Sequence, residues 1–199
     1  MISKIIKFFL PFYKDYALST KFTRAYYDSY LGFLLFKLGI RKVYWQHHKS
    51  CIIGSPRKIY VGKNSRIGRS NSYIQGEGGI YVGDYVGSGP NVGIISVNHD
   101  LNDHRKSVAK SVYIGNYCWL GMGCVILPGV TLGPRTIVGA NAVVTKSFPD
   151  GYCVIGGNPA KVIKLLNKDD IVCFRDECEF HGFIPAKDFE RVKKKYIDL

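Results

Sequence analysis

Apolar residues stand at Ile114, Leu120, Ile126, Leu132, Val138 and Val144, one in every six positions. A helix repeats its buried face about every 3.6 residues and a half-buried strand every second residue, so neither sets this beat alone. Four of these aliphatics are followed by glycine: Ile114-Gly115, Leu120-Gly121, Leu132-Gly133 and Val138-Gly139. Four places after the aliphatic comes a small or modest side chain, at Cys118, Cys124, Val130, Thr136 and Ala142. Upstream, Val61-Gly62 and Ile67-Gly68 keep the beat, with Ser65 in the small slot. Val82-Gly83, Ser88-Gly89 and Ile94 resume it after what reads as a two-residue stagger around "SYIQGEGGI".

A short strand and a tight corner, repeated three times, close a triangular coil of about eighteen residues. Aliphatics fill the narrow prism, the small side chains turn inward beside them, and corner glycines are expected to take dihedrals that Cβ-bearing residues avoid. Coils stacked at roughly 4.8 Å make a parallel β-helix. The frame breaks once, after His99, where residues 100–113 ("DLNDHRKSVAKSVY") intervene before Ile114 restarts it. A polar insertion on a rigid solenoid is where function concentrates, and His99 sits at its root. The expected organisation is an N-terminal helical, aromatic extension over 1–50, a β-helix over 51–166 with a protruding loop at 100–113, and a helical tail over 167–199.

Charge sharpens this picture. The chain of 199 residues carries a net +13. Residues 1–58 hold eleven Lys/Arg against two acids, whereas 167–199 hold seven against eight. No nucleic-acid motif or basic reading helix accompanies this charge, which argues against a nucleic-acid partner. The stretches "MISKIIKFFLPFY" and "YLGFLLFKLGI" lack a cleavage site and are too short to span a bilayer. Two roles fit residues 1–58: packing over the open end of the first coil, which is the expectation here, or a basic collar on an anionic membrane. The six cysteines show no disulfide or zinc spacing, so reduced thiols and no metal are expected.

"GPNVGIISVNHD" resembles the segment bearing the catalytic histidine in maltose and galactoside acetyltransferases. "SVYIGNYCWLGMGCVILPGVTLG" and "VGANAVVTKSFPDGYCVIGGNPAKVIK" follow that family's pattern in the same order. The resemblance covers roughly residues 51–166. It implies a left-handed β-helix (a handedness that spacing alone does not give), acetyl-CoA as donor, transfer within a direct ternary complex, and a homotrimer with active sites between chains. It assigns His99 as the general base and places Trp119 beside bound substrate or cofactor, a trimer-interface anchor being the other role for that ring. It sets Gly121, Met122 and Ala140 along the pantetheine arm, Met122 standing where some members carry a small polar residue. Thr145, Lys146, Lys161 and Lys164 match cofactor-phosphate positions.

A neutral imidazole suits removal of a hydroxyl proton because its pKa lies near working pH. Asp100, Glu77 or a backbone carbonyl would orient that ring, and Asn91 stabilises a corner or lines the acceptor pocket. Backbone N–H groups of corner glycines are candidate oxyanion donors. The expected function is therefore acetyl-CoA-dependent O-acetylation of a sugar or surface-polysaccharide precursor, in the cytoplasm or at the inner face of the membrane. A serine, nucleotide-sugar or antibiotic acyltransferase, and a non-catalytic scaffold, are the alternatives. A zinc hydratase on this fold needs three histidines, and the coil region holds only His99 and His104.

Overall fold

The computed structural model describes residues 2–24, 28 and 30–199, with side chains from residue 12 onward. Its centre is a left-handed parallel β-helix with three faces. The first face stacks Ile52–Gly54, Tyr73–Gln75, Gly93–Ile95, Val125–Ile126 and Val143–Val144. The second stacks Ile59–Val61, Ile80–Val82, Val112–Ile114 and Thr131–Leu132. The third stacks Gly87–Ser88, Trp119–Leu120, Ile137–Val138 and Cys153–Gly157, and Ala160–Leu165 then turns back antiparallel on the last of these.

The six-residue beat is the inside of this prism. Ile74, Ile94, Ile126 and Val144 form one buried column, Val61, Val82, Ile114 and Leu132 a second, and Ile67, Leu120, Val138 and Ile155 line the third. Ser65, Cys118, Cys124, Val130, Thr136 and Ala142 are buried beside them, as the small slots require. Pairing of Ile126 with Val144 gives an 18-residue coil, while Ile53 with Ile74 and Val61 with Val82 give 21 between the first two. The early stagger is thus three residues rather than the two expected, taken up at corners.

Of the glycines that follow an aliphatic of the frame, Gly68 meets the dihedral expectation with φ 79°, and the others do not. Gly62, Gly83, Gly115, Gly121, Gly133 and Gly139 are not among the glycines with positive φ. Space is what the next coil's backbone denies them: a Cβ on Gly62 would lie 2.4 Å from the carbonyl of Gly83, and one on Gly121 2.6 Å from the Val138 oxygen. The left-handed turn falls two residues later, at Tyr85, Asn91, Tyr117, Gly123, Gly129, Arg135 and Asn141.

The three edges of the prism carry different cargo. The edge between the first and second faces bears a β-hairpin, Val97–His99 paired antiparallel with Ser107–Ala109, and is called here the hairpin edge. The edge between the second and third faces is the tail edge. Its left-handed residues Asn64, Tyr85, Tyr117, Arg135 and Tyr152 form a column against which residues 168–180 run. Tyr117 donates to the Phe174 carbonyl at 2.8 Å, Arg135 to the Val172 carbonyl at 2.9 Å, and Asn64 to the Asp176 carboxylate at 2.9 Å. The third edge, where each coil returns to the first face, is the return edge.

The first coil is covered from both ends of the sequence. Helix α1 (Ile2–Thr23) and helix α2 (Tyr30–Lys37) precede an irregular segment in which Tyr44 and Trp45 are buried. Tyr44 exchanges hydrogen bonds with the Val61 backbone, and Phe33 and Phe36 of α2 meet Phe183 at ring separations of 5.4 Å. Phe183 belongs to the tail, which after this extended run forms the hairpin Phe180–His181/Ile184–Pro185 and the short helix α3 (Ala186–Val192). The tail is therefore mostly extended, with its helix confined to the end.

Candidate functional site

His99 ends the outgoing strand of the hairpin beside its tip loop, two residues beyond the base pair Val97/Ala109, with its side chain exposed and in register with Ser107. The base is tied to the corner below. Ser96, fully buried, donates to the Gln75 carbonyl at 2.7 Å and accepts the Gly78 N–H at 2.9 Å. Ser111 donates to the Gly78 carbonyl at 2.8 Å, and a Cβ on Gly78 would lie 2.1 Å from the Ser96 oxygen. In the "GEGG" corner the hairpin root presses on Gly78, the Ile59 side chain on Gly76, and Gly79 takes φ +88°. Asn98, His99, Asp100, Lys110 and Pro128 line an open cavity of about 350 Å³.

Of the three candidates for orienting His99, Asp100 is engaged elsewhere: its carboxylate accepts the N–H groups of Asn102 and Asp103 at 2.9 and 3.0 Å and closes the hairpin tip. Glu77 is exposed on the same edge one coil down, its backbone carbonyl accepting the Lys58 ammonium. Asn91 sits on the return edge with φ 57°, its N–H donated to the Ser70 carbonyl, which makes it a corner residue.

The remaining candidates divide between edges. Trp119, 40% exposed, lies on the outer side of the third face. It stands in register with Gly87 on one side and with Ile137, Val154 and Lys164 on the other. Trp119 and Lys164 are thus three strand spacings apart in one row, about 14 Å. The Arg66 guanidinium covers the indole, 5.8 Å from the ring centroid. Exposed Met122 and Ala140 occupy successive corners of the return edge, and Lys161 pairs with Gly156 at its far end. Gly121 lies buried beside them, its small size set by coil stacking. Thr145 and Lys146 instead follow Val144 on the hairpin edge, with the Lys146 ammonium 5.8 Å from the Phe148 ring. Within one chain, then, His99, Glu77, Asp100, Thr145 and Lys146 share one edge. Trp119 and Lys164 lie on the third face, and Met122, Ala140 and Lys161 on the return edge that borders it.

One chemical role is corrected. The N–H groups of Gly83, Gly115, Gly121, Gly133 and Gly139 all donate to carbonyls of the next coil, so these corner glycines have no donor left for an oxyanion. Cys118 and Cys124 are buried, and burial pushes their thiols up to about 11 and about 12, far from the thiolate a nucleophile needs.

A model of the bacterial transferase hexapeptide family (six repeats) matches residues 111–146. A galactoside O-acetyltransferase of Lactococcus lactis is 35% identical over 141 residues, 66% of this chain and 68% of that protein. Among solved structures, a maltose O-acetyltransferase from Clostridium difficile superposes with a TM-score of 0.57 at 27% identity, covering 78% of this chain and 88% of that one. A hexapeptide-repeat acetyltransferase from Vibrio cholerae, solved with acetyl coenzyme A, gives 0.57 at 26% identity, covering 76% and 87%.

Proposed function

The chain belongs to the hexapeptide-repeat acetyltransferases of the galactoside and maltose O-acetyltransferase type, and from that membership we propose that it moves the acetyl group of acetyl-CoA onto a sugar hydroxyl, with His99 as general base. The observation that carries the reading is the placement of His99: an exposed imidazole at the tip end of a hairpin whose root is anchored through Ser96, lining a cavity large enough for a sugar ring.

In the proposed reaction a ring nitrogen of neutral His99 accepts the hydroxyl proton as the oxygen attacks the thioester carbon. The tetrahedral intermediate collapses by breaking the C–S bond, and the imidazolium returns its proton to the departing thiolate. The products are the acetyl ester and coenzyme A, with His99 neutral again. No acyl-enzyme is required, in keeping with thiols held protonated inside the prism.

The cofactor residues fit an elongated donor. The exposed Met122–Ala140 strip borders the Trp119 row, and Lys161 and Lys164 at its far end supply positive charge for phosphates. His99 lies on a different edge of its own chain, so this reading requires a second copy to bring the two together. A cyclic trimer with sites between chains meets that requirement.

The test is acetyl-CoA consumption against galactosides, other glycosides, glycan precursors, serine and antibiotic acceptors, with calorimetry of acetyl-CoA binding alongside. Turnover with a sugar is the expected result. Turnover only with serine or an antibiotic overturns the acceptor class, and failure to bind acetyl-CoA would make the chain a scaffold.

A further inference from the structure

Helix α2 presents apolar side chains on two sides. Phe33 and Phe36 are buried against the cap of the first coil. On the outer side, Leu31 and Leu38 are 64% and 65% exposed, and Ile40, just past the helix, is 64% exposed. Leu31, Leu35, Ile40 and Val43 line a groove of about 540 Å³ between the helix and the segment that follows it.

The outward-facing rim of this groove is basic. Its acid, Asp28, is engaged inward: Arg41 donates to both carboxylate oxygens, at 3.0 and 2.7 Å, and the His47 N–H donates to it at 3.0 Å. His48 and Lys49 lie on the rim, and Lys42 is held beside Ile40 by a 2.8 Å bond to the Gly39 carbonyl. An apolar ridge set among cations suits the boundary between acyl chains and anionic headgroups. A second copy of the same basic face would instead meet like charge.

We infer that this surface docks the protein on an anionic phospholipid membrane, with Leu31, Leu38 and Ile40 entering the interface and Lys42, His48 and Lys49 meeting phosphates. No described helix is long and apolar enough to cross a membrane, so the attachment is peripheral. Capping and docking use opposite faces of α2 and are compatible.

The experiment is co-sedimentation of the full-length protein with vesicles of phosphatidylcholine alone or with about one-third phosphatidylglycerol. The protein should pellet with the anionic vesicles and be released as salt rises, because the attraction is screened over roughly 8–10 Å at physiological ionic strength. Leu31→Glu/Ile40→Glu and Lys42→Glu/Lys49→Glu should each lower partitioning by about tenfold or more while keeping the wild-type melting temperature. Wild-type protein left in the supernatant of anionic vesicles overturns the proposal. So does undiminished binding by both double variants, or a concentration-dependent self-association that Leu31→Glu abolishes.

Discussion

Tyr85 and Tyr117 lie face to face, 5.0 Å apart and 3° from parallel, on successive corners whose backbones are both left-handed. A tyrosine takes φ near +59° only when its surroundings outweigh the cost. Here the surroundings are the tail: Phe174 packs edge-on against both rings, and the Arg135 guanidinium lies 4.0 Å from the Tyr117 centroid. The corner and the tail therefore stabilise each other.

Tyr117→Phe should cost about 1 kcal/mol, the net worth of the bond to the Phe174 carbonyl. Tyr117→Ala should cost about 3 kcal/mol through lost ring packing. Tyr117→Gly should cost about 1 kcal/mol less than alanine, since glycine accepts the left-handed backbone. Urea unfolding measures all three, and tryptic cleavage at Arg175 should quicken in the same order of severity.

His99→Ala should lower kcat by about 10²–10⁴ while leaving acetyl-CoA affinity nearly unchanged, because the residue supplies proton transfer rather than cofactor binding. Ala140→Trp should block the exposed strip without disturbing the prism. If sites form between chains, unfolding and refolding the two inactive variants together should restore about one quarter of the wild-type sites. No recovery on mixing would place the site within one chain.

Lys161→Ala and Lys164→Ala should each raise KM for acetyl-CoA by about three- to tenfold, with kcat at saturation retained, as expected for contacts made equally in ground and transition states. Steady-state kinetics in both substrates decide this, and an unchanged KM in both variants would remove the lysines from the donor site.

The His47 imidazole is held down to about 4, first by burial and then by the Arg41 guanidinium. Its folded value lies below the unfolded one, so the unfolded chain binds more protons between about pH 6.5 and pH 4. Stability should fall as pH drops through that window, by an amount on the order of 3 kcal/mol. His47→Gln should flatten the dependence, read from thermal melts across the range.

The periodic part of the chain was legible because a prism interior imposes its spacing directly on the aliphatic and small positions. Ile114 through Val144, the break after His99 and the outward Trp119 all follow from that one geometric demand. The tail edge was hidden for the opposite reason: Tyr85, Tyr117 and Arg135 occupy a turn their own propensities oppose, and only the distant residues 172–179 make it stable. The glycines were legible as corners but not in their cause: Gly68 takes φ 79°, whereas Gly62 and Gly121 answer to close coil approach, and both demands leave the same letter in the sequence. Candidates on different edges were likewise indistinguishable, because a hexad does not announce which of three corners it turns.

The register row from Trp119 to Lys164 makes the solenoid a gauge. Its length changes only in whole rungs, each about 4.8 Å, because a side chain on this face cannot stand between two strands. Beyond Cys153–Gly157 the chain doubles back and the count stops. Excising one 18-residue coil between the two residues would bring them one rung closer while leaving every local contact type in place. The reach available to an elongated ligand on this row is thus written in the genome as an integer.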